Sequence, residues 1–216
     1  MTITCDRADL AWALKAVLPH TLRERGHPPS LEGVHLEAAP DDKTLYVVGC
    51  DRYTLGVARV DAVINDPAQT IIDTPDVREM LRRLKAKGEC ELEVYDDGEV
   101  CLDWKARWQR HTELPFPAWR GLLGPALRYP ASAPGRKWGW SAEYMARFAP
   151  AARDSVPLVF MPVVRVPSSY GDAVPMIVVL GEQFTGLVMS ARLAGVLDAP
   201  AALRRWRELL PAGGAS

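Results

Sequence analysis

The sequence lacks the features that mark several large classes of protein. Its four cysteines, Cys5, Cys50, Cys90 and Cys101, are far apart and form no C-x-x-C pair, which argues against a zinc site or a disulfide framework. No apolar run approaches the roughly 18 residues that cross a bilayer. The N-terminus has neither the basic start nor the apolar stretch of a signal peptide. We therefore expect a cytoplasmic protein with buried thiols and no metal.

Neither net charge nor catalytic motifs point directly to a function. Lysine and arginine total 26 against 27 aspartates and glutamates, so a nucleic-acid role would need charge segregated onto one face. The sequence contains no G-x-S-x-G, P-loop, G-x-G-x-x-G or H-E-x-x-H motif. The pair Asp96 and Asp97 falls in a predicted turn, where solvated carboxylates are the simpler interpretation. The hypothesis that the protein is an enzyme is supported only by scattered acidic residues. We therefore expect no catalytic residues and no cofactor.

What the sequence does contain is a repeat of a short strand, a helix cap and an amphipathic helix. The predicted caps, Asp6, Thr74 and Ser141, are 68 and 67 residues apart. Pro75 at the first helical position and Gly88 after the helix make the middle copy the clearest. Three strands are expected after each of the first two helices, over residues 31–37, 44–49, 53–60, 89–95, 99–104 and about 108–113.

This repeat predicts an α+β protein with helices on one face of antiparallel sheets. Two copies form a first domain over residues 1–123. Residues 124–136 are rich in glycine, proline and alanine and are predicted to be a linker. A shorter copy forms a second domain over 137–195, and 196–216 is a tail in which a short helix is expected near residues 200–210.

Basic side chains collect on the predicted helices, whereas acidic side chains collect in turns and strands. A basic helix layer would attract the phosphates of a duplex without reading its sequence. An ordinary solvated helix surface explains the same pattern equally well. The candidate DNA-binding residues are Lys15, Arg78, Arg82, Arg83, Lys85 and Arg147.

Four segments, taken in order, resemble the bacterial sliding clamp family, the beta subunit of DNA polymerase III. They are 31–37 (LEGVHLE), 45–55 (LYVVGCDRYTL), 114–120 (LPFPAWR) and 188–193 (VMSARL), the last with Ser190 where the family has proline. The resemblance implies the DNA-clamp fold, in a shortened two-domain form that keeps the family's middle domain and part of its last. It further implies a processivity factor that encircles duplex DNA in the nucleoid. Since family rings have six domains, two domains per chain imply a trimer.

The same resemblance implies a hydrophobic groove between the two domains that binds short peptides of DNA polymerases and clamp loaders. The matching positions are Leu55, Pro117, Leu122, Leu187 and Met189. Ordinary core residues remain the alternative for each position. The shortened last domain also leaves open a clamp-derived regulatory protein, of viral or cellular origin, that binds replication partners without encircling DNA.

Overall fold

The computed structural model describes residues 2–22, 28–39, 43–96, 99–109, 115–128, 140–153, 156–162 and 175–190. Unit 1 consists of β1 (Thr2–Asp6), α1 (Arg7–Val17), β2 (Gly33–Ala39), β3 (Thr44–Cys50) and β4 (Thr54–Ile64). Unit 2 consists of β5 (Ala68–Asp73), α2 (Thr74–Arg83), β6 (Glu89–Val94), β7 (Glu99–Leu102) and β8 (Ala106–Gln109). After α3 (Trp119–Arg128), unit 3 consists of α4 (Ala142–Ala146), β9 (Val159–Pro162), β10 (Pro175–Leu180) and β11 (Phe184–Met189).

Each unit continues from its helix into three strands, and units 1 and 2 exchange their opening strands. Strand β1 pairs with β6 of unit 2, with Asp6 opposite Glu89. Strand β5 pairs in turn with β2 of unit 1, with Asp73 opposite Gly33. The two units have the same order of elements, so that β8 has the place in unit 2 that β4 has in unit 1. The α+β repeat predicted from the sequence is therefore confirmed.

The helix starts show which predicted caps are correct. The Asp6 carboxylate accepts the backbone N–H groups of Ala8 (2.8 Å) and Asp9 (3.1 Å), as an N-cap does. Thr74 is not a cap, because α2 begins at Thr74 and its N-cap is Asp73. The Thr74 hydroxyl instead donates to the carbonyl of Glu32 (2.6 Å), which ties the helix start to the segment before β2.

The predicted linker differs from the structure at its beginning. Residues 124–128 belong to α3, although Gly124 and Pro125 are poor helix formers. The helix forms because Trp119, Leu123 and Ala126 are buried in one apolar cluster, and tertiary burial outweighs propensity. Residues 129–136, most of the strand expected at 137–140 and the tail over 196–216 lie outside the described residues. The domain boundaries stay predictions.

The main core lies between the helices and the sheets and continues into unit 3. Its largest fully buried side chains include Leu10, Leu36, Leu92, Phe148 and Phe184, the last two from unit 3. Strand β4 connects the two parts. One of its edges pairs with β3, while the other pairs with β11 over Thr54–Ala58 and with β1 over Ala62–Ile64. Among the described residues, no helix is long and apolar enough to cross a membrane.

Candidate partner groove and basic helix face

An apolar strip runs along the junction between β4 and β11. Leu55 and Leu187 are direct partners in the antiparallel ladder, and both are almost completely buried. Alternate residues of a strand point to opposite faces, so Val57 shares their face and joins the same cluster. The strip thus joins unit 1 to unit 3 through both backbone hydrogen bonds and apolar contact.

Helix α3 packs on this strip and is fixed at its first turn by Glu37. The Trp119 indole N–H donates to Glu37 Oε2 (2.9 Å), and Arg120 forms an ion pair with the same carboxylate. The Arg120 guanidinium lies over the rings of Tyr46 (4.8 Å) and Trp119 (4.2 Å). Burial alone would raise the pKa of Glu37, but the hydrogen bonds from Trp119 and Arg120 outweigh it and lower the pKa. Glu37 is therefore a charged anchor for the helix.

The structure brings together three of the five predicted groove residues. Leu55, Leu122 and Leu187 contact one apolar cluster, with Leu122 half-buried at its margin. Pro117 is half-buried two residues before the start of α3, and its carbonyl accepts the Trp119 N–H (2.7 Å). Met189 is half-buried at the end of β11, outside the cluster.

Sequence reasoning missed the side chains that α3 contributes. Trp119, Leu123 and Ala126 follow an i, i+4, i+7 spacing, which is the pattern of one buried helix face. That signal was obscured by Gly121, Gly124 and Pro125, which together predict a loop.

The turn before β4 holds unit 3 in place through a buried ion pair. Asp51 Oδ1 accepts the N–H groups of Tyr53 (3.1 Å) and Thr54 (2.8 Å) and the Thr54 hydroxyl (2.9 Å). Its Oδ2 forms an ion pair with Arg147 of unit 3, and the two side chains are only 6% and 10% exposed. The ring of Tyr53 stacks on that of Tyr144, with centroids 5.3 Å apart.

Arg147 therefore does not face solvent as expected for a DNA contact. It lies one residue beyond the short helix α4, on the side that meets the Asp51 turn, and also contacts Glu143 (3.2 Å). Burial lowers the pKa of the guanidinium, but the hydrogen bonds and charges of Asp51 and Glu143 outweigh it, so the pKa is raised. With its charge neutralised, Arg147 links the two units and is removed from the candidate DNA-binding residues.

His20 lies buried at the same junction. Its ring is 4.5 Å from that of Phe148, and a β-carbon at Gly56 would lie 2.5 Å from its Cδ2. Neither ring nitrogen has a hydrogen-bond partner among the residues that the structure describes. Burial lowers the pKa of His20 to about 3, so the imidazole is neutral at physiological pH.

The remaining basic candidates lie on or beside α1 and α2, which contact each other on one face of the sheets. Lys15, Arg78, Arg82 and Lys85 are exposed. Arg83 is also exposed, but it pairs with Glu79 on the next turn (2.6 Å), which reduces the charge available to a phosphate. Of these five candidates, four are exposed and form no ion pair within the described part of the chain, whereas Arg83 is exposed but paired, and their role in DNA binding stays a prediction.

No family model matches the chain, and no curated protein matches it. Among solved structures, the DNA polymerase sliding clamp from Pseudomonas aeruginosa is similar with a TM-score of 0.65 at 13% identity, over 89% of this chain and 67% of that one. The sliding clamp from Bacillus subtilis has a TM-score of 0.60 at 11% identity, over 100% and 76%. The beta subunit of DNA polymerase III from Thermotoga maritima has a TM-score of 0.58 at 13% identity, over 91% and 67%.

This chain has the DNA-clamp fold. The resemblance detected in four sequence segments is thus confirmed at the level of the fold. The chain spans about two thirds to three quarters of the length of these clamps. At such low sequence identity the similarity establishes the fold and assigns no role to any particular residue. Within the clamp fold, the β4–β11 junction and the helix face are the two places where the predicted site residues gather.

Proposed function

We propose that the protein is a clamp-like accessory factor of DNA replication without catalytic activity. It binds a peptide of a DNA polymerase or clamp loader at the β4–β11 junction and holds duplex DNA against its helix face, so that the polymerase stays tethered. The observation that carries the proposal is the junction itself, where Leu55, Leu122 and Leu187 meet in one apolar cluster within a clamp fold.

The proposed groove would have the buried strip as its floor, which α3 partly covers, and half-buried residues at its margin. Leu55 and Leu187 are covered, whereas Pro117, Leu122 and Met189 are half-buried and offer apolar surface to a partner. Small interfaces gain most of their energy from one or two large anchors, so a peptide ending in Leu-Phe suits this margin. Methionine adapts to different side chains, which favours more than one partner.

The helix face supports binding that does not depend on DNA sequence. Lys15, Arg78, Arg82 and Lys85 are exposed on elements that share one face of the molecule. Such cations contact phosphates and release counterions, so affinity falls steeply with salt. Arg83 adds less, because Glu79 already pairs with it.

A six-domain ring built from three copies is the assembly expected from the sequence, and it stays a prediction. It requires two complete domains in each chain, whereas the described residues contain three helix–strand units, or one and a half domains. That count favours a second candidate function, a clamp-derived regulatory protein that binds replication partners without encircling DNA. A plasmid separates the two: a ring survives a high-salt wash on circular DNA and is lost on linear DNA, whereas a surface binder is lost from both.

The groove is tested by calorimetric titration with a peptide that carries a spaced glutamine and a Leu-Phe end. Leu122→Asp places a charge at the apolar margin, so we expect binding at least about ten-fold weaker. Leu127→Asp is the matched control, because Leu127 is exposed on the same helix and outside the cluster. Equal affinity of wild type and Leu122→Asp would show that the groove is assigned to the wrong residues.

A further inference from the structure

Two of the four cysteines lie opposite each other where units 1 and 2 exchange strands. Cys5 of β1 and Cys90 of β6 are direct partners in the antiparallel ladder. Both side chains point into the main core, where the residues are 4% and 2% exposed. Their sulfur atoms are 3.8 Å apart, and both thiols are free. The fold thus brings into contact two thiols that are 85 positions apart along the chain.

The backbone at this pair has the spacing that a disulfide needs. Directly opposed residues in an antiparallel ladder have Cα atoms about 4.5–5.5 Å apart, and disulfides span about 4.4–6.8 Å between Cα atoms. Since an S–S bond is about 2.05 Å long, each sulfur has to move by only about 0.9 Å. The other two cysteines lie opposite different residues: Cys50 faces Leu55, and Cys101 faces Glu93 and Arg107.

Hydrogen bonds make the two thiols chemically unequal. The Cys90 thiol donates to the backbone carbonyl of Cys5 (3.5 Å), so the Cys90 sulfur can accept the hydrogen of the Cys5 thiol. This hydrogen bond from Cys5, together with the charge of Arg7, outweighs burial and lowers the pKa of Cys90. The same hydrogen bond and burial raise the pKa of Cys5. Cys90 is therefore the thiol that ionises first and attacks an oxidant, while Cys5 keeps its proton.

The pair lies one position from the end of the β1–β6 ladder. The next pair joins Asp6 to Glu89, and both of these residues are exposed. Beyond it, the Arg7 N–H donates to the carbonyl of Gly88 (3.0 Å). Strand ends open locally at a much lower free energy than the whole fold. A small oxidant can therefore reach the two sulfur atoms while the rest of the chain stays folded.

We propose that Cys5 and Cys90 form a redox-sensitive pair, in which a peroxide oxidises the two thiols to a disulfide that fastens β1 to β6. The Cys90 thiolate attacks one oxygen of hydrogen peroxide, the O–O bond breaks, and a sulfenic acid forms. The other oxygen leaves as hydroxide and takes up the proton that Cys90 released. The Cys5 thiol then attacks the Cys90 sulfur, the S–O bond breaks, and water leaves. Two thiols lose two electrons to one peroxide, which gives one disulfide and two water molecules.

This disulfide makes the attachment of β1 depend on the redox state. It closes a loop between residues 85 positions apart, across the junction of units 1 and 2. A cross-link between distant residues stabilises a fold by restricting the unfolded chain, and the effect grows with loop length. The oxidised chain should therefore unfold at a higher urea concentration than the reduced chain, and a reductant should reverse the difference.

The proposal is tested by treating the folded full chain with hydrogen peroxide and counting free thiols in denaturant with Ellman's reagent. We expect the count to fall from four to two and to return to four with dithiothreitol. In Cys5→Ser the sulfenic acid at Cys90 has no thiol partner, so dimedone should label residue 90. Cys90→Ser should keep its three thiols. Cys50→Ser is the matched control, because it removes a buried cysteine outside the pair and should still lose two thiols.

Mass spectrometry of an unreduced digest identifies the bonded residues in the wild type. Trypsin together with an endoproteinase that cuts after glutamate separates Cys90 from Cys101, because Glu93 and Glu99 lie between them. We expect the peptides of Cys5 and Cys90 to be joined, with the loss of two hydrogen atoms. Four free thiols after peroxide treatment, a disulfide between any other two cysteines, or a disulfide that forms only in urea would each overturn the proposal.

Discussion

The buried ion pair between Asp51 and Arg147 makes a quantitative prediction about the attachment of unit 3. Arg147→Met keeps the length of the side chain and removes its charge. Removing one partner of a buried pair costs about 3–5 kcal/mol. Asp51 keeps three hydrogen bonds from Tyr53 and Thr54, which continue to stabilise its carboxylate. We therefore expect Arg147→Met to lower the free energy of unfolding by about 2–3 kcal/mol, less than for a carboxylate left with no partner.

A double-mutant cycle in urea separates the pair from its surroundings. Asp51→Asn, Arg147→Met and the double variant should give a coupling energy of about 1–2 kcal/mol between the two side chains. Arg153→Met is the matched control, because its pair with Asp9 (2.6 Å) is more exposed, at 33% and 38%. Exposed pairs contribute at most about 1 kcal/mol. A coupling below about 0.5 kcal/mol, or equal losses for Arg147→Met and Arg153→Met, would refute the reasoning.

Two further predictions concern the helix face and the junction. Changing Arg78, Arg82 and Lys85 together to glutamate should abolish retention on duplex DNA while the circular dichroism spectrum stays unchanged. In the wild type, the logarithm of the affinity should fall linearly with the logarithm of the salt concentration. Retention of the triple variant equal to that of the wild type would contradict a DNA-binding role. The pKa of His20 is about 3 in the folded state and near 6.5 in the unfolded state, so the unfolded chain binds a proton first as the pH falls. The free energy of unfolding should therefore decrease between about pH 6.5 and pH 3, by up to about 1.4 kcal/mol per pH unit. Urea titrations at pH 7 and pH 5 measure this slope, and His20→Leu should reduce it; an unchanged slope in that variant would assign the pH dependence to other groups.

Local sequence patterns predicted the parts of this fold that depend on local interactions. The Asp6 cap is correct because its partners are two and three residues away. The cap at Thr74 is one residue off, because its hydroxyl bonds to Glu32, 42 residues away. The sequence predicts a linker from residue 124 although residues 124–128 belong to α3, because the stability of this helix comes from burial against strands and not from its own residues.

The candidate site divides in the same way. Leu55 and Leu187 could be placed in one groove because the resemblance to the clamp family implies a groove between the two domains, which no local pattern contains. The position of Arg147 could not be predicted, since its partner Asp51 lies 96 residues away along the chain. A basic residue on a short helix looks the same in sequence whether it faces a phosphate or a buried carboxylate.

The exchange of opening strands between units 1 and 2 has a consequence for folding. Strand β1 completes the sheet of unit 2, and β5 completes the sheet of unit 1, so neither unit contains all of its own sheet. Synthesis of unit 1 alone leaves β1 without β6 and β2 without β5, with both strand edges open. The contacts between β1 and β6 also join residues more than 80 positions apart, which makes their formation slow. We therefore expect the two units to fold together, and a chain cut between Ile64 and Ala68 to recover the fold only when both fragments are present.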